Sequence, residues 1–250
     1  MLQRTVINGA VLAVLAFGVA TSARAEETKV LADGPLAGPL RKIAAEFTRG
    51  SGHAITFVFG PSPEIDRRIA GGETADLVVI QPNFIAELSK HGKVASGTHP
   101  IIANVGIGIA VKASQPAPDV STSAALRAAL LAADTIVFNN VASGNRFAIV
   151  LDKLQITAVT NSKVVRVPPS ETFKRALQGD GKTIAVGTIP QILTAEGLQL
   201  AGPLPAEHAS SISYAIAPMT PSSRGVEAAM FISFVQSPKA RAIFKAAGVD

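Results

Sequence analysis

Short apolar runs alternate with amphipathic stretches along the chain from about residue 27 to its end. The apolar runs are typical of β-strands and lie at residues 29–32, 55–59, 76–80, 101–111, 135–138, 163–167, 183–187 and 212–216. Between them, apolar residues recur every three or four positions, which predicts helices at residues 39–49, 64–71, 83–91, 123–133, 146–154, 171–178, 223–235 and 238–246. This alternation indicates an α/β fold with mostly parallel sheets, in which ligands bind beyond the carboxyl ends of the strands.

Several of the predicted strands run through a turn rich in Gly, Pro, Ser or Asn directly into a helix. The clearest of these turns are at residues 33–35, 60–63 and 139–145. A helix that begins in this way presents unpaired backbone N–H groups and the positive end of its dipole beyond the strand. Because such groups bind negative charge, the turns predict a site for an anion.

The predicted strand 101–111 is longer than the others and contains Gly106 and Gly108. Two interpretations are open: the strand leaves one sheet and enters another, or it is an ordinary strand with a bulge. The first interpretation divides the chain into one lobe of residues 26–103 together with 210–250 and a second lobe of residues 104–209. The ligand cleft would then lie between the lobes.

The first 25 residues have the pattern of a signal peptide. Arg4 is followed by an apolar run from Ala10 to Ala20, and Ala23 and Ala25 form a small-x-small cleavage site. The run is shorter than the roughly 20 residues that span a bilayer, so we expect cleavage after Ala25 and no membrane anchor. The chain has no cysteine, which excludes disulfides and a lipid-modified N-terminal cysteine. We therefore expect a periplasmic protein.

Composition and charge exclude several classes of function. The sequence has no tryptophan and one tyrosine, and its formal net charge of +5 becomes +3 when Arg4 and Arg24 are removed with the signal peptide. Scattered charge of this size does not predict nucleic-acid binding. The four histidines are far apart without acidic partners at ligand spacing, and no P-loop, dinucleotide fingerprint or nucleophile elbow is present. We expect no metal and no cofactor.

The chain resembles a known family along nearly its whole length after the signal peptide. The similar segments are residues 43–47 (IAAEF), 59–62 (FGPS), 69–77 (IAGGETADL), 110–114 (AVKAS), 141–144 (VASG) and 237–245 (SPKARAIFK). In this order and spacing they resemble periplasmic molybdate-binding proteins of ABC transporters. The resemblance implies the type II periplasmic-binding-protein fold, with two α/β lobes that close on an oxyanion, and an inner-membrane ABC permease as partner.

The resemblance also implies a binding site, which this chain alters. The family's first turn supplies a serine where this chain has Pro35, and Thr188 stands where a tyrosine is expected, while Ser62 is kept and Val141 supplies a backbone N–H. These changes favour a small carboxylate over molybdate, because each missing donor costs about 1–3 kcal/mol. The candidate ligand-binding residues are Gly34, Leu36, Ser62, Asn104, Val141, Ser143, Gly144, Arg146 and Thr188, with Arg67 and Asn145 as further partners.

Each candidate also has a structural interpretation. Arg67 and Arg146 can clasp a carboxylate through two parallel hydrogen bonds, or they can be solvated surface side chains. Ser62 and Ser143 can bind the ligand or cap the helices that they begin. Asp33 can cap the first helix or repel an anion, and capping is the favoured interpretation.

A second resemblance supports an enzymatic alternative. Residues 186–192 (VGTIPQI) and 202–207 (GPLPAE) are similar to relatives that include periplasmic aconitate isomerases. These relatives shift a proton and a double bond in a tricarboxylate, which requires a base near the acidic carbon and partners for the carboxylates. The candidate bases are Glu64 and Asp33, followed by His99.

Overall fold

The computed structural model describes residues 27–250, so the predicted signal peptide of residues 1–25 lies outside the described residues. The strands are β1 (Thr28–Asp33), β2 (Ile55–Gly60), β3 (Leu77–Ile80), β4 (Ile101–Lys112), β5 (Thr135–Asn139), β6 (Val164–Val167), β7 (Thr183–Thr188), β8 (Leu198–Pro203) and β9 (Ser211–Pro218). The helices are α1 (Ala37–Ser51), α2 (Ser62–Ala70), α3 (Pro82–Lys90), α4 (Ser123–Ala132), α5 (Ala142–Lys153), α6 (Thr157–Thr160), α7 (Thr172–Gln178), α8 (Ile189–Leu193), α9 (Gly225–Val235) and α10 (Pro238–Ala246). The predicted α/β class is confirmed.

The strands form a curled sheet in the order β2-β1-β3-β9-β4-β7-β5-β6, and β8 pairs with β4 outside this path. The pairs β1–β2, β1–β3, β5–β6 and β5–β7 are parallel. The antiparallel pairs each contain β4 or β9. Parallel strands therefore lie on both sides of an antiparallel middle, and their carboxyl ends form two separate edges for ligand contacts.

Strand β4 connects the two sides by changing its partners along its length. It pairs with β9 from Ile101 to Gly106, and with β7 from Ile107 onward. The register with β8 also shifts between Ile109 and Ala110, so the strand contains a bulge as well as a change of partners. These pairings agree with the first interpretation of strand 101–111, and the exact lobe limits stay a prediction.

Gly108 is required where β4 meets its new neighbours. A Cβ at this position would lie 2.8 Å from Leu200 Cδ1 and 3.1 Å from Ile189 Cγ1. These side chains come from β8 and α8, which pack directly on the backbone of β4. The glycine therefore serves a close approach between elements.

The side of the sheet that contains β1, β2 and β3, which we call the first side, has an apolar core between the sheet and helices α1, α9 and α10. On α1, Leu40, Ile43 and Phe47 face the sheet at helical spacing, and the helix ends at Gly52 in the left-handed conformation with a φ of 76°. The C-terminal helices add Phe231, whose ring meets that of Phe47 edge to face at 5.3 Å. The C-terminal helices α9 and α10 thus complete the apolar core that β1 and α1 begin.

The side that contains β5, β6 and β7, which we call the second side, has its own core around β5 and α5. Phe138 and Phe147 are buried there, and their rings meet edge to face at 5.3 Å. Strand β8 and helix α8 also belong to this side, and the sequence pattern did not predict them. Within residues 27–250, no helix is long and apolar enough to cross a membrane.

Candidate functional site

A cavity of about 380 Å³ lies between the two sides, beyond the carboxyl ends of β1, β2, β5 and β7. Five predicted ligand-binding residues line it, namely Gly34, Ser62, Val141, Ser143 and Thr188. Both leading candidates for a base, Asp33 and Glu64, also line it. The three turns found in the sequence therefore contribute residues to one space, which they approach from both sides.

Asp33 is the last residue of β1, and its carboxylate holds the start of helix α2. One oxygen, Oδ2, accepts hydrogen bonds from the Ser62 backbone N–H at 2.9 Å and from the Ser62 hydroxyl. The Ser62 hydroxyl oxygen also accepts a bond from the Gln81 backbone N–H at 3.2 Å. The prediction that Asp33 caps the first helix is wrong, because its side chain makes no cap bond there and binds the start of α2 instead.

Burial makes the carboxyl group of Asp33 a weaker acid than usual. The residue is 5% exposed, and desolvation raises its pKa from 3.8 to about 6, although hydrogen bonds from Ser62 act in the opposite direction. Tyr214 lines the same cavity, and its pKa is raised by its own burial and by the Asp33 charge, while the positive charge of Arg146 acts in the opposite direction. The cavity therefore contains a carboxylate that titrates in mildly acidic solution and a phenol that remains neutral.

Asn139 has the corresponding place on the second side, as the last residue of β5. Its Oδ1 accepts hydrogen bonds from the backbone N–H groups of Val141 at 3.1 Å and Gly144 at 3.0 Å. Its Nδ2 donates to the Ser143 hydroxyl oxygen at 2.7 Å. Two of the amides at the start of α5, those of Val141 and Gly144, are thus already paired with a side chain.

Gly144 makes this arrangement possible. A Cβ on this residue would lie 1.7 Å from the backbone oxygen of Asn139, which is far inside van der Waals contact. Gly144 itself is buried and does not line the cavity. Its structural contribution is to let the first turn of α5 close onto the end of β5.

A small set of polar groups remains able to bind a ligand. Ser143 accepts the bond from Asn139, and its hydroxyl hydrogen has no acceptor within residues 27–250. The Tyr214 hydroxyl has no hydrogen-bond partner in the same part of the chain. Thr188 donates to Gln191 Oε1 at 2.7 Å, which leaves the Gln191 amide N–H groups as donors. The open donors are therefore neutral.

Comparison with known proteins identifies the family. Residues 28–250 match the sequence profile of the family described as bacterial extracellular solute-binding protein. The chain belongs to this family.

Individual relatives of this solute-binding protein agree with the resemblance found in its sequence. An aconitate isomerase from a Pseudomonas species is 22% identical over 226 residues, which cover 88% of this chain and 86% of that protein. The periplasmic molybdate-binding protein of Azotobacter vinelandii has a TM-score of 0.72 at 20% identity, covering 90% of this chain and 99% of the other. A sulfate-binding protein from Mycobacterium tuberculosis has a TM-score of 0.68 at 19% identity, with coverages of 89% and 86%. The predicted family and the type II fold with its two lobes are confirmed.

The other predicted ligand-binding residues of this solute-binding protein lie away from the cavity lining. Leu36 is fully buried in the core, and Asn104 pairs its backbone with Asp250 while its Oδ1 accepts a bond from Ser213 at 2.7 Å. Arg146 is exposed, and its Nη1 donates to the Ser210 hydroxyl at 2.8 Å. Their side chains have structural partners at these places.

Other site residues were not found from the sequence. Asn139, Gln81 and Gln191 line the cavity: Asn139 is the last residue of β5, Gln81 directly follows β3, and Gln191 lies three residues after β7. Their position at or shortly after the carboxyl end of a strand was the sequence signal that could have identified them as site residues. Tyr214 lies within β9 and gave no such signal.

The cavity lining of this solute-binding protein contains acidic side chains but no basic ones. Among its lining residues there is no Lys, Arg or His, whereas Asp33 and Glu64 are acidic. His99 lies beside a different surface pocket near α3. Within residues 27–250 no group of His, Cys, Asp and Glu is arranged to hold a metal ion. A ligand in this cavity would meet neutral donors and two carboxyl groups.

Proposed function

We propose that the protein is a periplasmic solute-binding protein that holds a small organic carboxylate in this cavity and presents it to an inner-membrane ABC permease. The observation that carries the proposal is the cavity itself, which is lined from both sides by strand ends and helix starts. In a family of extracellular binding proteins, a space in this position is the natural place for a solute.

The size of the cavity supports an organic ligand. Its volume of about 380 Å³ is in the range of about 300–1,000 Å³ that is usual for small-molecule pockets. A tetrahedral oxyanion such as molybdate would fill only part of this space. Its walls also contain proline and aromatic carbon, including Phe59 and Pro169, which suit the carbon skeleton of an organic acid.

The available donors support the same conclusion. A tetrahedral dianion held by neutral groups needs donors on all sides, but the N–H groups of Ser62, Val141 and Gly144 already bind side-chain oxygens. A carboxylate needs fewer donors, and Ser143 with Tyr214 or Gln191 can supply them. A carboxylate can also share a proton with Asp33, whose pKa of about 6 permits protonation near the pH of binding.

A ligand panel tests the proposal. The purified protein is screened by thermal shift with molybdate, tungstate, sulfate, phosphate, and di- and tricarboxylates, and calorimetry follows for each positive compound. We expect a higher melting temperature with one or more carboxylates and no change with the oxyanions. Stabilisation by molybdate or sulfate alone would contradict the carboxylate assignment, and no binding by any compound would contradict the solute-binding role in this cavity.

Isomerisation of a tricarboxylate is a second candidate, favoured by one specific arrangement. Asp33 is a buried carboxyl group with a pKa near 6, and it lies in the same cavity as the neutral phenol of Tyr214. A base of this kind can take a proton from carbon at neutral pH, while a phenol can donate to the oxygen on which charge develops. The similarity to an aconitate isomerase suggests the substrate class.

Ultraviolet absorbance separates the two candidates. The protein is mixed with trans-aconitate, and the absorbance of the conjugated double bond is followed with time. A carrier gives a constant signal, whereas an isomerase gives a change that stops when Asp33→Asn removes the base. Turnover that persists in Asp33→Asn would exclude Asp33 as the base, and Glu64→Gln would then be tested in the same assay.

A further inference from the structure

A second space of about 530 Å³ adjoins the cavity and has a different chemical character, and we call it the outer space. The two spaces share a wall that includes Pro61, Glu64, Val141 and Pro169. The outer space adds residues that do not line the inner one, namely Arg67, Asn83, Phe84, Asn140 and Asn145. The cleft is therefore longer than the inner cavity, and its outer part contains a cation.

We propose that this outer space is a second subsite, in which Arg67 binds a carboxylate at the far end of an elongated ligand. The ligand would then be a di- or tricarboxylate with one acidic end in the inner cavity and another beside Arg67. This inference rests on the proposed function, and it narrows the ligand class from small carboxylates to those with separated acidic groups.

The charge environment of Arg67 supports this role. Its neighbour Arg68 is paired with Glu73, at 2.6 Å from Nε to Oε2, and lies 4.0 Å from Glu64. Arg67 is exposed, it lines the same space as Glu64, and it has no ion-pair partner within residues 27–250. An arginine without a protein partner can offer its planar fork of N–H groups to a carboxylate.

The spacing along helix α2 fits an elongated ligand. Ser62 begins the helix at the inner cavity, and Arg67 follows five residues later at the outer space. With a rise of about 1.5 Å per residue, their backbones are about 7.5 Å apart along the helix axis. A single oxyanion cannot reach from one end to the other, whereas a short-chain polycarboxylate can contact both.

The second side of the cleft adds neutral partners to the outer space. The Asn145 Oδ1 accepts a hydrogen bond from Arg166 Nη2, which leaves the Asn145 amide hydrogens as donors. Asn83 and Asn140 complete a set of amide side chains on both sides. Glu64 lies in the shared wall, where its negative charge disfavours an acidic group halfway along the ligand. Acidic groups at the two ends are thus favoured.

Arginine substitution with a matched pair of ligands tests the subsite. Calorimetry compares Arg67→Ala with the unsubstituted protein, using a tricarboxylate (trans-aconitate or citrate) and a monocarboxylate (lactate). We expect tricarboxylate affinity to fall about 10- to 100-fold because a charge-assisted bidentate contact is lost. Lactate affinity should be unchanged, since this ligand needs only the inner cavity.

Two further variants control for charge and geometry. Arg67→Lys keeps the positive charge without the fork and should recover only part of the tricarboxylate affinity. Arg241→Ala removes an exposed arginine of α10, away from both spaces, and should leave both affinities unchanged. Circular dichroism checks that each variant is folded.

The outcomes distinguish the inference from the proposed function. If Arg67→Ala leaves tricarboxylate affinity unchanged, or weakens lactate equally, the outer subsite is wrong while carboxylate binding stands. If the unsubstituted protein binds neither ligand, the proposed function fails, and the subsite fails with it.

Discussion

The buried carboxyl group of Asp33 predicts that the protein is less stable at neutral pH than in mild acid. In the unfolded chain this group ionises near its ordinary pKa of 3.8, whereas in the folded protein its pKa is about 6. The folded state therefore holds the proton more tightly than the unfolded state does. The resulting stability is fully present below pH 3.8 and is lost as the pH rises through about 6.

The size of the effect follows from this pKa difference. About two pH units at 1.36 kcal/mol each amount to about 3 kcal/mol of destabilisation above pH 6. Asp33→Asn removes the ionisation and keeps an oxygen that accepts the Ser62 N–H bond. It also loses the charge on that acceptor, which offsets about 1–2 kcal/mol. We expect the variant to be more stable than the unsubstituted protein by about 1–2 kcal/mol at pH 8, and to have no such advantage at pH 4.

Urea unfolding, followed by circular dichroism from pH 4 to pH 8, measures this difference directly. Asp66→Asn on α2 is a matched control, because Asp66 lies on the same helix but does not line the cavity. The control should follow the pH dependence of the unsubstituted protein. The reasoning is refuted if Asp33→Asn is no more stable at pH 8, or if its stability falls between pH 4 and pH 7 as steeply as that of the unsubstituted protein.

Two further predictions concern the second side of the cavity. Ser143→Ala removes a hydroxyl donor from the cavity. Carboxylate affinity, measured by calorimetry, should therefore fall by about 1–2 kcal/mol. An unchanged affinity would exclude this hydroxyl as a ligand contact. Gly144→Ala places a Cβ 1.7 Å from the Asn139 backbone oxygen and should lower the free energy of unfolding by about 3 kcal/mol or more. Gly225→Ala in α9 is the control, because a Cβ there has no neighbouring atom within 4 Å and should change the free energy of unfolding little. Equal stability of these two glycine variants in urea would contradict the close approach.

Much of the fold was predictable because its signals are local. Strands β1 to β7 and β9 are apolar runs, and the turns after several of them contain Gly, Pro, Ser or Asn, which turns favour. Strand β8 was missed because its sequence, LQLAGP, has little apolar alternation and ends in Gly and Pro. Helix α8 is only five residues long, which is too short to produce a helical period.

The site was predictable in its location but less so in its contacts. The turns after β1 and β2 lie together because these strands are parallel neighbours, and the turn after β5 meets them across the cavity from the second side. The partners of each donor depend on contacts across the chain, as with Asp33 and Ser62, which are 29 residues apart. Arg146 shows the same limit: it has a favourable position at the start of α5, but its guanidinium lies against Ser210.

The residues at the ends of β1 and β5 bear on the choice between an oxyanion and a carboxylate as the proposed ligand. Asp33 accepts a hydrogen bond from the Ser62 N–H at the start of α2, and Asn139 accepts bonds from two N–H groups at the start of α5. These N–H groups are therefore already hydrogen-bonded before a ligand binds. An anion that bound them would have to displace a carboxylate on one side and an amide on the other. Displacing the carboxylate is the harder step, because its negative charge stays in the cavity unless it takes up a proton. The proposed ligand would use Ser143, Tyr214 and Gln191 and so would avoid this cost, and in the proposed subsite its second acidic group would meet Arg67 in the adjoining space.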